Sequence, residues 1–284
     1  MEIDIRNAAS LEEIPIDEAD VVYHLAARQY HLEVPWARRQ RYFEEVNLDG
    51  TFNVLKRMSA STCRQMVFFS TDMVYGFPDR IPVGREHPRR PLGPYGESKR
   101  KAEDVCEAFR HQGMNITVLR PRLIVGPGRL GVLKTLFRLI RSGFPVPLIG
   151  DGSNRYQMVS VYDCVSAAIH AVQMGLPNAA FNLGSKDPPT ARALLEQLIK
   201  RVGSRSVLVR TSGRMVKALL GALDKSGLTV LYPEQFLIAD RNYIVDTAPT
   251  ERDLGWRAEF NDEEMMFEAY REYETGLQSA ARRQ

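Results

Sequence analysis

The sequence predicts an α/β protein built on a doubly wound parallel sheet, with a smaller lobe towards the C-terminus. Three observations predict it. Short apolar, β-rich runs recur at Val21–Leu25, Met66–Ser70, Ile116–Arg120 and Ala180–Leu183, and their continuous hydrophobicity suits strands buried on both faces. Helical stretches lie between them, at about 36–60, 96–112, 130–142 and 163–174. Strand alternating with helix is the pattern of a parallel sheet wrapped on both sides.

Between the third and fourth runs the rhythm changes. The span Phe144–Gly152, with Pro145, Pro147 and Gly150, interrupts the alternation, and Ala191–Val202 predicts a helix that opens a second unit containing Tyr232–Ala239. The sequence shows no internal repeat or low-complexity tract, and Ala280–Gln284 is expected to fray.

Composition sets bounds without choosing a function. The 284 residues are 44% hydrophobic and 26% charged, ordinary values for a chain with a large core. The net charge of +3 is small and acidic residues intervene among the basic ones, so no nucleic-acid partner is expected. Local clusters at Arg38–Arg41 and Arg85–Arg90 are solvated faces on this reading, with contact to an anionic substrate as the alternative. Three cysteines, Cys63, Cys106 and Cys164, have no metal-ligand spacing and predict a reduced cytoplasmic interior with no metal. Neither a signal sequence nor a run of 18 apolar residues is present, so no membrane partner is expected. Leu130–Arg141 has the mixed apolar and basic pattern of a membrane-surface helix; the favoured expectation is a helix flanking a cleft.

The chemistry is concentrated in one stretch. In Tyr95-Gly96-Glu97-Ser98-Lys99 the tyrosine and lysine are one helical turn apart and share a face. A free tyrosine, with a pKa near ~10, is a weak base at neutral pH, and a nearby ammonium lowers that value. Upstream, Ser70-Thr71-Asp72-Met73-Val74-Tyr75-Gly76 follows a strand and offers a hydroxyl at Thr71 that can hold a substrate oxygen. Such a trio suits removal of a carbinol proton while a hydride leaves to a nicotinamide, or the reverse.

With these residues in place, the chain resembles the extended short-chain dehydrogenase/reductase family, the group of nucleotide-sugar epimerases and dehydratases. Further segments carry the resemblance: Val22-Tyr23-His24-Leu25-Ala26-Ala27, Asn47-Leu48-Asp49-Gly50-Thr51, Leu119-Arg120-Pro121-Arg122 with Val125-Gly126-Pro127-Gly128, and Phe181-Asn182-Leu183-Gly184. It implies a Rossmann-like dinucleotide-binding domain over 1–143 and about 155–184, and a substrate-binding lobe over about 144–154 and 185–284. It implies NAD, or NADP, as cofactor, contacted by Asp4, Ile5, Leu25, Ala26, Ala27, Asn47, Ser70, Tyr95, Lys99 and Pro121. Thr71, Tyr95, Lys99 and Asp72 would be catalytic, and Thr71, Arg122 and Arg155 would meet the substrate. Asn47 would brace the site. A homodimer through the helices at about 36–60 and 96–112 is also implied.

Family members begin with a strand and a Gly-x-x-Gly-x-x-Gly turn, whose glycines admit the cofactor pyrophosphate. This sequence has no such turn. Glu2-Ile3-Asp4-Ile5-Arg6 resembles the family's third strand, so the N-terminal strand–helix–strand is expected to be missing, whether by a misplaced start, completion by another chain, or loss of cofactor binding. In the strand order of a doubly wound sheet this leaves Val21–Leu25 as an apolar, unpaired edge.

Ser70-Thr71-Asp72-Met73-Val74-Tyr75-Gly76 is similar to the segment of nucleotide-sugar 4,6-dehydratases in which a Glu follows the Asp as base. Here Met73 stands in its place, and a thioether abstracts no proton. The resemblance therefore implies a 4-epimerase acting on a nucleotide-sugar, with Asp72 either a proton donor or only a polar strand end. In Gly150-Asp151-Gly152-Ser153-Asn154-Arg155-Tyr156 the arginine would bind a diphosphate, or else pair with a carboxylate. Asp163 is expected to cap a helix and Trp256 to pack. The alternatives are a dehydrogenase of hydroxysteroid or other small-alcohol type, favoured by the apolar Leu219, Leu220, Leu223, Leu228 and Leu231, and a non-enzymatic remnant without cofactor.

Overall fold

The computed structural model describes residues 3–30, 34–131 and 133–281. In chain order its regular elements are β1 (Val22–His24), α1 (Arg39–Glu44), α2 (Thr51–Ser59), β2 (Gln65–Phe69), α3 (Pro94–Arg110), β3 (Asn115–Pro121), β4 (Leu123–Val125), α4 (Leu133–Arg141), β5 (Val146–Ile149) and β6 (Met158–Ser160). There follow α5 (Val161–Gln173), β7 (Ala180–Leu183), α6 (Ala191–Arg201), β8 (Leu208–Thr211), α7 (Gly213–Lys225), α8 (Pro233–Phe236), α9 (Ala248–Leu254) and α10 (Asp262–Ala281). A parallel sheet in the order β1-β2-β3-β7 forms the centre, and β4 with β6 and β5 with β8 make two smaller parallel pairs.

The register decides which face each strand residue serves. Met66, Phe68, Ile116 and Val118 point to one face and pack with Leu55, Met58, Ala102, Cys106 and Phe109 of α2 and α3. Val67 and Leu119 point to the other, against Ala167, Ala168 and Ala171 of α5. Val22 and His24 follow Met66 and Phe68, and His24 is buried there with its ring stacked on Phe68. Tyr23 follows Val67 onto the α5 side, where it is 46% exposed, as is Leu25 at 60%. Among the described residues β1 pairs with β2 alone, which makes it the apolar edge anticipated above.

Two expectations about elements are corrected. Ile3–Ile5 forms no strand: Asp4 receives hydrogen bonds from the Arg6 guanidinium and backbone, Asn7 N–H closes a turn on the Asp4 carbonyl at 3.0 Å, and a short 3₁₀ segment follows at Ala8–Glu13. Without a neighbouring strand to pair its backbone, the segment satisfies itself locally, and Ile5 lies over Gly50. The helix expected at about 36–60 is broken by a π-turn over Glu45–Gly50. Such turns displace side chains from the 3.6-residue rhythm and often mark functional positions; this one carries Asn47.

The later part of the chain builds the lobe. β5, β8, α6, α7 and α8 gather there, while α10 runs back across α4 and α6 through Phe137, Leu194, Leu198, Met265 and Tyr270. Asp163 is not the helix cap: Ser160 accepts the Tyr162 N–H at 3.1 Å, and the Asp163 carboxylate takes the Glu259 N–H at 2.9 Å. Trp256 packs as expected, 1% exposed, with Nε1 donating to Ser166 Oγ at 2.9 Å. Of the tail expected to fray, 282–284 lie outside the described residues. No helix of the described residues is long and apolar enough to cross a membrane.

Candidate active site

A cavity of about 540 Å³ opens at the C-terminal ends of β1, β2 and β3, where a parallel sheet places its ligands. Leu25, Ala27, Ser70, Thr71, Asp72, Tyr95, Lys99, Pro121 and Arg122 line it, so nine of the residues picked out from sequence meet in one place. The sheet does the positioning: β2 ends at Phe69 and delivers Ser70–Asp72, β3 delivers Pro121 and Arg122, and the first turn of α3 brings Tyr95 and Lys99.

Gly96 lets that turn approach. A Cβ there would sit 2.6 Å from the Met73 carbonyl oxygen and 2.9 Å from Pro91 Cβ, so helix and Thr71–Met73 loop touch through backbone. The Thr71 hydroxyl acts on the Tyr95 phenol and opposes a rise in its pKa. Burial first, then the Glu234 carboxylate, push that pKa up, with Asp72 adding to them. This is opposite to the direction expected from the Tyr95–Lys99 spacing. Lys99, 1% exposed, lies with Nζ 4.1 Å from the Phe68 ring centroid, and burial brings its ammonium down to about 8.

Asp72 is 3% exposed and ion-paired with Arg122 Nη1. Burial raises its carboxyl pKa despite that partner. The Arg122 guanidinium is sandwiched between Tyr156 and Tyr243, 4.4 and 4.2 Å from their centroids, and its Nε and Nη2 are sealed from solvent with no hydrogen-bond partner among the described residues. Arg122 thus lines the cavity and pairs with Asp72 through Nη1, while two of its guanidinium N–H groups stay without a partner among the described residues.

Other expected contacts fall elsewhere. Arg155 is exposed, and it is the next residue, Tyr156, that lines the cavity, since alternate residues of an extended segment face opposite ways. Asp4 faces solvent, its carboxyl held at about 2 by Arg6 hydrogen bonds, and Ile5 packs in the α2–α3 core. Ala26 is exposed outside the cavity lining. Asn47, fully buried, also stands behind the wall: its amide donates to Arg28 O and Ser98 Oγ at 3.0 Å each, and its Oδ1 accepts Arg28 N–H at 2.8 Å. It thus ties the segment after β1 to α3.

Sequence reasoning missed Tyr30, Arg129 and Gln235 on the cavity lining, and Glu234 behind it. One signal for the last was present. Gly93-Pro94 opens α3 with no capping side chain, so a cap had to come from elsewhere.

Comparison with known proteins shows the family. The model of the NAD dependent epimerase/dehydratase family matches residues 1–184. The chain belongs to that family. It is 31% identical over 264 residues to the uncharacterized protein y4nG of Sinorhizobium fredii, covering 92% of this chain and 64% of that one. It is 29% identical over 169 residues to the UDP-glucose 4-epimerase of Vibrio cholerae, covering 58% and 52%. The chain thus spans under two thirds of the length of both. Among solved structures, RMD from Pseudomonas aeruginosa complexed with NADPH superposes with a TM-score of 0.76 at 22% identity, over 97% of this chain and 88% of that one. The UDP-glucuronic acid 4-epimerase of Bacillus cereus in complex with NAD gives 0.73 at 19%, over 96% and 79%.

The cavity fits one end of a dinucleotide. Ala27, Ser70, Lys99 and Pro121 form a wall with an apolar side and a buried cation, suited to a ribose and a nicotinamide ring. No glycine precedes Gly50 in the sequence.

Proposed function

We propose that the protein inverts a carbinol centre of a nucleotide-sugar, most simply at C4, by oxidising and re-reducing it. The observation that carries this reading is the meeting of Thr71 and Tyr95 at the cavity, with Met73 rather than a second carboxylate following Asp72. When bound, NAD or NADP supplies the acceptor and donor of the hydride, with Ala27, Ser70, Lys99 and Pro121 placed to hold its nicotinamide end. Thr71 holds the carbinol oxygen, and Tyr95 takes its proton and later returns it. A buried phenol whose pKa is raised needs positive charge near it to ionise; Arg129 acts on it in that direction, and Lys99 stands one turn along the helix. Met73 offers no acceptor for a proton on the neighbouring carbon, which disfavours elimination of water. Asp72, fixed by Arg122, lends polarity beside Thr71. The names of relatives as UDP-glucose 4-epimerase and UDP-glucuronate 4-epimerase support the substrate class.

The leucines that favoured a steroid-like substrate do not line the cavity, and Leu219 and Leu228 are over 60% exposed on the lobe surface. The test is to incubate the protein with NAD and UDP-glucose or UDP-glucuronate and follow the sugar by proton NMR. Inversion at C4 that Tyr95→Phe abolishes is the expected result. A dehydrated keto-deoxy-sugar, or NADH accumulating in step with product, would overturn the epimerase reading.

A further inference from the structure

The start of α3 is capped by a residue from a distant part of the chain. The first turn of any helix leaves backbone N–H groups without intrahelical partners. Pro94 has none to leave, which reduces the problem here to Tyr95 and Gly96. Both donate to the same carboxylate: Tyr95 N–H to Glu234 Oε1 at 2.9 Å and Gly96 N–H to Glu234 Oε2 at 3.1 Å. The Tyr30 hydroxyl donates to Oε1 as well.

This carboxylate occupies the place of a local cap. Gly93 holds the N-cap position in extended backbone, open to any residue, yet a Cβ built on it would lie 2.4 Å from Glu234 Oε1 and 2.5 Å from its Cγ. Glu234 is 2% exposed in α8, a helix of the lobe. The surrounding contacts run the same way. Tyr30 stacks on Tyr232 with centroids 4.0 Å apart, Arg39 of α1 binds Asp224 at 2.7 Å, and Trp36 Nε1 donates to the Asp224 carbonyl at 2.6 Å.

We propose that Glu234 is a positioning residue for Tyr95: by capping α3 from across the lobe boundary it fixes the ring of Tyr95 and places a negative charge beside the phenol, so that seating of the lobe sets the catalytic helix. The inference rests on the reading of Tyr95 as the proton carrier, but the contact itself does not. The charged groups acting on the phenol are Glu234, Arg129 and Asp72, with Thr71 as hydrogen-bond partner and Lys99 one turn along α3. Burial raises the Glu234 carboxyl pKa, and the hydrogen bonds from Tyr30 and from the Gly96 and Tyr95 amides work the other way and favour its charged form. A lobe that lifts away would remove both the cap and the charge, which ties the order of the site to the seating of α8.

The test needs no turnover. The protein is labelled with 3-fluorotyrosine, the Tyr95 resonance is assigned by its loss in Tyr95→Phe, and its titration is followed by fluorine NMR alongside amide hydrogen exchange. In Glu234→Gln the Tyr95 resonance is expected to titrate about one pH unit or more lower, as removal of a close negative charge requires. One of the two amides, facing an NH₂ where an oxygen stood, should exchange roughly fivefold faster, the scale of a lost cap. Gly93→Ala, which pushes the carboxylate away without changing the charge count, should reproduce both changes more weakly. The pair Gly93→Ser with Glu234→Ala supplies a local cap and should restore the protection of Gly96 while leaving the titration lowered. Titration and exchange unchanged in Glu234→Gln would overturn the proposal. A protein that inverts no sugar yet shows these shifts would overturn the function and leave the clamp standing.

Discussion

Replacing Arg122 with Met tests how the cavity floor is held. The guanidinium is 2% exposed and the Asp72 carboxylate it pairs with is 3% exposed. Removing the cation leaves a buried charge without a partner, a change that costs about 3–5 kcal/mol. For a chain of 284 residues, unfolding entropy of about 2.1 cal/mol/K per residue converts that to a fall in Tm of roughly 5–8 °C. The sign with pH follows from linkage. Burial already raises the Asp72 pKa in the folded chain, and losing Arg122 raises it further. A carboxyl with a raised folded pKa loses stability as pH climbs from its unfolded value of about 4 towards the folded one. Arg122→Met should therefore differ little from the parent in acid and be most destabilised above neutrality. Adding Asp72→Asn should recover part of the loss, because a neutral amide tolerates the site better. Urea unfolding at the two ends of that pH range measures all three variants. A deficit below about 1 kcal/mol, or one of equal size at both ends, would refute the buried-pair reasoning.

Other outcomes follow from the same geometry. Tyr95→Phe should lower turnover by about 10²–10⁴-fold, the scale of one acid–base group, with circular dichroism and Tm unchanged. Lys99→Met should abolish turnover yet raise Tm at neutral pH by removing a buried ammonium. In the parent, the Lys99 pKa of about 8 against 10.5 predicts that stability rises between those values, and in the variant a thermal scan should show that rise gone. Gly96→Ala should destabilise by several kcal/mol, because its neighbour at 2.6 Å is backbone; expression and Tm report it. Burial works against the Glu103 carboxylate, yet Arg120, Ser70 and Arg89 outweigh it and its pKa is lowered. Its stabilisation is present above the ordinary carboxylate value and lost below it, so Glu103→Gln should narrow the Tm difference between neutral and acid solution.

The four central strands were legible because a strand buried on both faces has no polar alternation to confuse it, and Met66–Ser70 and Ile116–Arg120 sit within a residue of where they were placed. Tyr95 and Lys99 were legible because one helical turn is a local rule. The failures are long-range or depend on context. Ile3–Ile5 has the composition of a strand but finds no neighbour to pair with, and Arg6 captures its acidic residue. The π-turn at Glu45–Gly50 leaves no compositional trace, though it is what aims Asn47 at Ser98. Arg155 and Tyr156 differ only in which face of a short bridge they take. The direction of the Tyr95 shift was beyond reach because its second cause, Glu234, lies 139 residues away in sequence.

Calorimetric titration of NAD and NADP is the most direct measurement, made on this chain, on a form lengthened at its N-terminus by a glycine-rich strand–turn–helix segment, and on that form carrying Ala27→Trp. Binding by the lengthened form, lost when tryptophan fills the cavity, is the expected result and would make the Thr71–Tyr95–Lys99 wall the nicotinamide end of a dinucleotide site. No binding by either unmodified form, or binding indifferent to Ala27→Trp, would contradict it.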